Sequence, residues 1–372
     1  MRYIFVITAI FVASLALNVQ SGSAQEKASW RLTGAAKHDV KIPDILGYET
    51  LLCDPHMHTI FSDGTVWPTV RVDEAYREDL DFMAISDHIE YRPHKEDVST
   101  DNNRPYDLTI GPATMLNLLM PRASEITRDT PPGHFNAIFL QDSNALNTDD
   151  FLAQMEIANQ QGAFVFWNHH AWKGEELGSW RDVHTTIYEK KWLHGMEVAN
   201  GGTYYPSAHQ WCIDRGLTML GTSDVHQPFL RTKTSPDEHR TMTLVFVKER
   251  TLEGVKEALF AGRTAAWNKN EVIGLETYLK EIFAQSVKIG APFLEENNAM
   301  YVEISNSSDI HFDLKRTGEE GPESFQIPAR SSVQIRRQAK EQSGEASLMY
   351  EVTNLLIAPG KGLPVKLMFN AD

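Results

Sequence analysis

Cysteine is nearly absent from the 372 residues: there is Cys53 and, far along the chain, Cys212. That excludes a disulfide framework, and both thiols are expected free and buried. Basic residues are also scarce, 35 Lys and Arg against 50 Asp and Glu, giving a formal charge of −15. Duplex binding rests on phosphate neutralisation by Lys and Arg, so bulk nucleic acid is excluded as a partner. Internal repeats and low-complexity tracts are missing. Long apolar runs are missing too, except at the start. There Arg2 precedes an almost uninterrupted apolar stretch, residues 3–17, and Gly22-Ser23-Ala24 offers small residues before Gln25. This pattern reads as an export signal over residues 1–24. The run is shorter than the roughly 20 residues of a spanning helix. The mature chain is therefore expected to lack a membrane span and to reside in the periplasm or outside the cell.

Residues 25–49 read as an N-terminal extension. From about residue 50 to 274, short β-rich runs alternate with helical stretches. Strands are expected at 51–53, 82–86, 122–127, 135–140, 163–167, 195–199, 217–222, 241–247 and 263–267. Helices are expected after Pro68, from a Thr148 cap to Gln161, over 207–215 and over 251–261. A polar loop is expected over 89–107. Such alternation favours an α/β fold with a parallel sheet, closed or open. Over 275–372 helical signals nearly vanish and six strand-like runs are joined by polar turns. This segment is expected to be a small all-β accessory domain of sandwich type.

Metal-ligating residue types recur at strand ends. His56 and His58, in Asp54-Pro55-His56-Met57-His58, are two apart, so in extended geometry both face one side. Asp63 comes next, in a Ser-Asp-Gly turn permitted by Gly64. Further groups are Ser86-Asp87-His88, Ser124-Glu125, His134, Asn168-His169-His170 and Ser223-Asp224-Val225-His226. A lone histidine is usually structural. Several His and Asp clusters at one type of strand end indicate an assembled site, because that edge is where α/β active sites form. Glu197, on the run 195–198, is within reach of such a site or structural.

This ordered set resembles the PHP (polymerase and histidinol phosphatase) metallo-phosphoesterases over roughly residues 50–270. Asn168 and His170 depart from the Ala-His-Pro common there, and Ser124 from a glycine. The resemblance implies a distorted (β/α)7 barrel and two or three divalent ions, Zn, Mn or Fe. One would be held by His56, His58, Glu125 and Asp224. A second would take Glu125, His134 and His169, and a third Asp63, His88 and His226. Glu125 would bridge the first two. A hydroxide held between such ions is a strong nucleophile at neutral pH, so no catalytic side chain is required. A small phosphoester is the expected substrate. The layout is similar to exported bacterial PHP phosphodiesterases acting on organophosphate diesters, which implies release of a phosphomonoester and an alcohol. The alternatives are a phosphomonoesterase, an amidohydrolase-type C–N hydrolase and a non-catalytic exported metal-binding protein. Candidate substrate contacts are Arg92, Arg122, Lys173 and His170, with Trp172, Tyr204 and Tyr205 beside them.

Overall fold

The computed structural model describes residues 37–229, 238–291, 294–296, 299–338 and 346–369. The expected export signal, and the extension up to residue 36, lie outside the described residues. Among those described, no helix is long and apolar enough to cross a membrane. Lys37–Asp372 forms one compact unit.

The first half alternates as the sequence suggests. It runs β1 (Glu49–Met57), α1 (Pro68–Arg77), β2 (Phe82–Ile85), α2 (Arg104–Met115), β3 (Ala123–Thr127) and β4 (His134–Ile138). Next come α3 (Phe151–Gln160), β5 (Phe164–Trp167), α4 (Asp182–Glu189), β6 (Gly195–Asn200) and β7 (Thr203–Tyr204). After these come α5 (Pro206–Arg215), β8 (Thr218–Thr222), β9 (Met242–Val247), α6 (Leu252–Phe260), β10 (Thr264–Asn268) and β11 (Glu271–Gly274). Pro68 sits in the first turn of α1, where its missing N–H costs nothing. Gly216, at φ +66°, ends α5 in the left-handed conformation that glycine tolerates. Two boundaries differ from expectation. The cap of α3 is Asp150, whose carboxylate accepts from the N–H groups of Leu152 and Ala153, and not Thr148. Helix α2 begins inside the stretch read as loop, with Pro105 in its first turn.

The strands close into an irregular barrel. β1 pairs parallel with β2, and β6 pairs parallel with both β5 and β8. Parallel bridges His88↔Glu125 and Met57↔Val225 close the two gaps, after β2 and after β8. Seven strands then complete the ring: β1, β2, β3, β4, β5, β6 and β8. The distortion comes from β4, which runs antiparallel to both β3 and β5. The sheet is therefore mixed, not all parallel. Strands β9, β10 and β11 add an antiparallel flank beside β1. Cys53 and Cys212 are both buried and free.

A further helix, α7 (Glu276–Ser286), opens the region read as helix-poor. Its buried Leu279, Ile282, Phe283 and Ser286 fit the i, i+3, i+4, i+7 helical spacing, but Leu275 gives no side-chain cap to announce it. Beyond it lie β12 (Val287–Ile289), β13 (Leu294–Glu296), β14 (Ala299–Asn306), β15 (Phe312–Arg316), β16 (Ser324–Ile327), β17 (Ser331–Gln338), β18 (Ala346–Ala358) and β19 (Lys361–Phe369). They form two sheets, β12-β14-β13 with β17, and β16-β15-β18 with β19. The second continues the barrel flank, because Val272 and Ile273 of β11 pair parallel with Leu355 and Leu356 of β18. One apolar cluster joins Leu244 and Met57 of the barrel to Ile304, Phe312 and Leu367 of the sandwich. Phe283 packs edge-on against Phe312, with ring centroids 5.1 Å apart.

A shared sheet and a shared core leave no boundary at which one half can melt alone. Scanning calorimetry is expected to show one unfolding transition. Phe283→Ala should lower its midpoint, costing about 3–5 kcal/mol as a large-to-small core change. Two separated transitions, with only one shifted by the substitution, would contradict a common core.

Candidate metal centre

The residues singled out by the motifs meet at one rim of the barrel. His56 and His58 stand at the end of β1, His88 lies just past β2, Glu125 within β3, and His169 just past β5. Asp224 and His226 come directly after β8. His134 opens β4, and because β4 runs backwards its first residue reaches the same rim. Backbone bonds lock these segments together. Asp224 N–H donates to the His56 carbonyl at 2.9 Å, and His58 N–H to that of Val225 at 3.0 Å. Asp224 itself sits at φ +51°, a left-handed conformation uncommon outside glycine. Gly64 is required for a reason other than the one expected. Its φ is not positive. A Cβ there would instead meet the His58 and Thr59 backbone at 2.7 Å.

All nine ligand-type residues fall into four overlapping groups, each with its donor atoms within 4.8 Å of one another. His56 Nε2 lies 3.0 Å from His58 Nε2, 3.2 Å from Glu125 Oε2 and 3.2 Å from Asp224 Oδ1. His58 Nε2 is 3.2 Å from the same glutamate oxygen and 3.1 Å from the same aspartate oxygen. The other Glu125 oxygen faces His134 Nδ1 at 2.8 Å and His169 Nε2 at 3.9 Å. Asp63 Oδ1 stands 3.1 Å from His226 Nε2 and 3.3 Å from His88 Nε2.

Divalent ions fit this donor set. Ligands about 2.0–2.1 Å from one zinc-like ion stand about 3 Å apart, which matches these spacings. Asp63 Oδ1, Glu125 Oε1, His134 Nδ1 and Asp224 Oδ1 are buried without a hydrogen-bond partner, despite their close neighbours. Buried polar atoms are otherwise almost always satisfied. Charge points the same way. Burial disfavours the ionised form of Asp63, Glu125 and Asp224, but the facing imidazoles outweigh it and hold all three carboxyls below their usual range. Burial also opposes protonation of His58, yet Asp224 and Glu125 push its pKa up to about 9. The cluster is thus built to hold positive charge.

A second layer orients these groups. Glu197, left open by the sequence, is fully buried on β6. Its Oε1 pairs with His56 Nδ1 at 2.6 Å and accepts from Thr222 Oγ1 at 2.5 Å. Its Oε2 accepts the His169 N–H at 2.7 Å and Asn200 Nδ2 at 2.9 Å. This contact turns His56 Nε2 toward the cluster. Sequence reasoning assigned no role to Asp54, Asp87, Arg71 or Arg240. Asp54 accepts from Ser223 N–H and Oγ and from Arg240 Nη1. Asp87 accepts from Thr59 N–H, Thr59 Oγ1 and Ser62 Oγ. Arg71 donates to the carbonyls of His58, Val225 and Gln227, tying two ligand-bearing segments together. The two aspartates stand beside motif histidines, a usable signal. The arginines carry no local signal.

Of the candidate substrate contacts, the structure brings Trp172 and Tyr205 to the cluster and not the others. A cavity of about 230 Å³ opens on the cluster, and Trp172, Asn200 and Tyr205 share its wall with the ligand-type residues. None of Arg92, Arg122, Lys173, His170 or Tyr204 lines it. Arg92 donates to the Thr100 carbonyl. Arg122 donates to the Gln141 carbonyl and Asp107 and stacks over Tyr106. Lys173 lies over Trp172, 3.6 Å from Asp129. His170 is buried, with Nδ1 on the Gly178 carbonyl at 2.9 Å. Tyr204 Oη pairs with His209 Nδ1 at 2.9 Å.

A mixed barrel with a histidine–carboxylate rim defines a class of metal-binding site, and one relative narrows it. A two-domain protein from Bacteroides vulgatus, described as containing a predicted PHP-like metal-dependent phosphoesterase, is 44% identical. That match covers 89% of this chain and 98% of the other, with a TM-score of 0.84. This chain belongs to the PHP-like metal-dependent phosphoesterases. Residues 287–368 match an Ig-like domain family. An amidohydrolase from Chromobacterium violaceum is 13% identical over 47% of this chain and 88% of its own, with a TM-score of 0.36. No curated protein matches.

Glu197→Gln keeps the size of the side chain and removes its charge. Outer-layer losses of this kind weaken metal binding by about 10–100-fold. Competition titration with a chromogenic chelator should show that drop with the fold intact by circular dichroism. Unchanged affinity would contradict an orienting role for Glu197.

Proposed function

We propose that this phosphoesterase hydrolyses small phosphodiesters, releasing a phosphomonoester and an alcohol, in the periplasm or outside the cell. His56, His58, Glu125 and Asp224 hold one divalent ion, Glu125, His134 and His169 a second, and Asp63, His88 and His226 a third. Zn, Mn and Fe all suit this mixed nitrogen and oxygen set. Such ions supply an activated water and polarise the phosphoryl group.

The observation that carries the diester reading is the cavity wall. Among the described residues it contains no Arg or Lys. A monoester ends in a dianionic phosphate, which calls for a cation beyond the metals. A diester carries one charge and two organic arms. It calls instead for an open mouth and apolar surface. Trp172 provides this. It is 51% exposed, with its ring centroid 5.6 Å from that of His134 and 6.0 Å from that of His169. An aryl or apolar arm stacks there while the phosphoryl group faces the cluster. The export pattern of residues 1–24 supports the location.

Rates on bis-aryl and mono-aryl phosphate, measured on metal-loaded protein, discriminate the readings. The diester is expected to be cleaved faster, with activity lost in both His58→Ala and Glu125→Ala. A faster monoester rate would move the assignment to a phosphomonoesterase, and inactivity on both would overturn the hydrolase. Trp172→Ala is expected to raise KM for aryl diesters about tenfold with kcat little changed, the loss of one aromatic contact. An equal KM for the variant would remove Trp172 from the substrate site.

A further inference from the structure

Two consecutive tyrosines lie just past β6, and they differ in one respect. Tyr204 is satisfied within the protein by His209. Tyr205 makes no side-chain hydrogen bond among the described residues, although it is only 7% exposed and packed edge-on against His170, with ring centroids 5.3 Å apart. Its hydroxyl is not among the buried unsatisfied atoms, so the oxygen is the part of the side chain left accessible. The surface that Tyr205 keeps open lines the cavity above the metal cluster. Its backbone is fixed, because Tyr205 N–H donates to the Val198 carbonyl at 2.8 Å and the residue precedes α5 directly.

We propose that Tyr205 is a substrate-contacting residue whose hydroxyl donates a hydrogen bond to a non-bridging phosphoryl oxygen of the bound phosphoester. This rests on the phosphoesterase reading of the site. No proton is transferred. Burial, and then the carboxylates of Glu197 and Asp224, push the hydroxyl's pKa upward, so it stays protonated and acts as a donor. The position suits an acidic protein. A neutral donor adds affinity for an anion in a wall that, among the described residues, has no Arg or Lys.

Tyr205→Phe deletes the hydroxyl and keeps the ring. Removing a hydroxyl that bonds no described residue should leave the melting temperature of the metal-free protein equal or raised. Metal content after loading should be unchanged. Calorimetric titration of metal-loaded protein with inorganic phosphate should show about a tenfold weaker Kd for the variant, the loss of one donor to a charged acceptor. A lower melting temperature would mean that the hydroxyl is bonded inside the protein, and an equal phosphate Kd would mean that it does not reach the anion. Either result overturns the proposal. Wild-type diester hydrolysis separates the two readings. If it proceeds while phosphate affinity is the same in both proteins, only the Tyr205 proposal fails. If it is absent while the variant loses phosphate affinity, the diesterase reading fails and Tyr205 remains an anion contact.

Discussion

Six carboxylates crowd one barrel rim, and the rest of the site is arranged around their negative charge. Asp54, Glu125 and Glu197 are fully buried, Asp87 nearly so, and Asp63 and Asp224 partly. Buried charge is tolerated only when paired and hydrogen-bonded. The protein meets this demand in two ways. Asp54 and Asp87 are satisfied by backbone N–H groups, hydroxyls and Arg240. Asp63, Glu125 and Asp224 keep oxygens without hydrogen-bond partners and face imidazole nitrogens. The first set builds the scaffold. The second set is left for cations.

The antiparallel strand explains how one rim collects so many ligands. Parallel strands deliver only side chains at or beyond their C-terminal ends. Reversing β4 lets His134 arrive from an N-terminal end, beside Glu125 on the neighbouring strand β3. The same reversal makes the barrel irregular. The Ig-like domain continues the flank of this barrel through β11 and β18. Its apolar residues join the core that includes Met57, the residue between His56 and His58. The domain therefore contributes to the platform behind the histidine pair.

Much of this was legible in the sequence, and the limits have physical causes. The ligand-type residues were readable because each belongs to a short local motif at a strand end. The α/β alternation was readable from apolar runs interleaved with helical stretches, and its closure into a barrel from the resemblance the motifs carry. The direction of β4 was not, since a five-residue run carries no mark of its orientation. Helix α7 was obscured by its missing cap, although its buried spacing is regular. Of the candidate substrate contacts, Trp172 and Tyr205 line the cavity and the others do not, for a different reason. Arg92, Arg122 and Lys173 carry the right charge, but their long side chains reach the Thr100 carbonyl, the Gln141 carbonyl and Asp129, none of which lines the cavity. Of two adjacent tyrosines, only the fold determines which one lines the site.

The account depends on cations sitting among the carboxylates and imidazoles. Anomalous diffraction from crystals of metal-loaded protein tests this most directly. It should show a peak bonded to His56, His58, Glu125 and Asp224, with further density beside His134 and His169 and beside Asp63. A map with no peak at the rim, and His56 and His58 still as close together, would contradict the account.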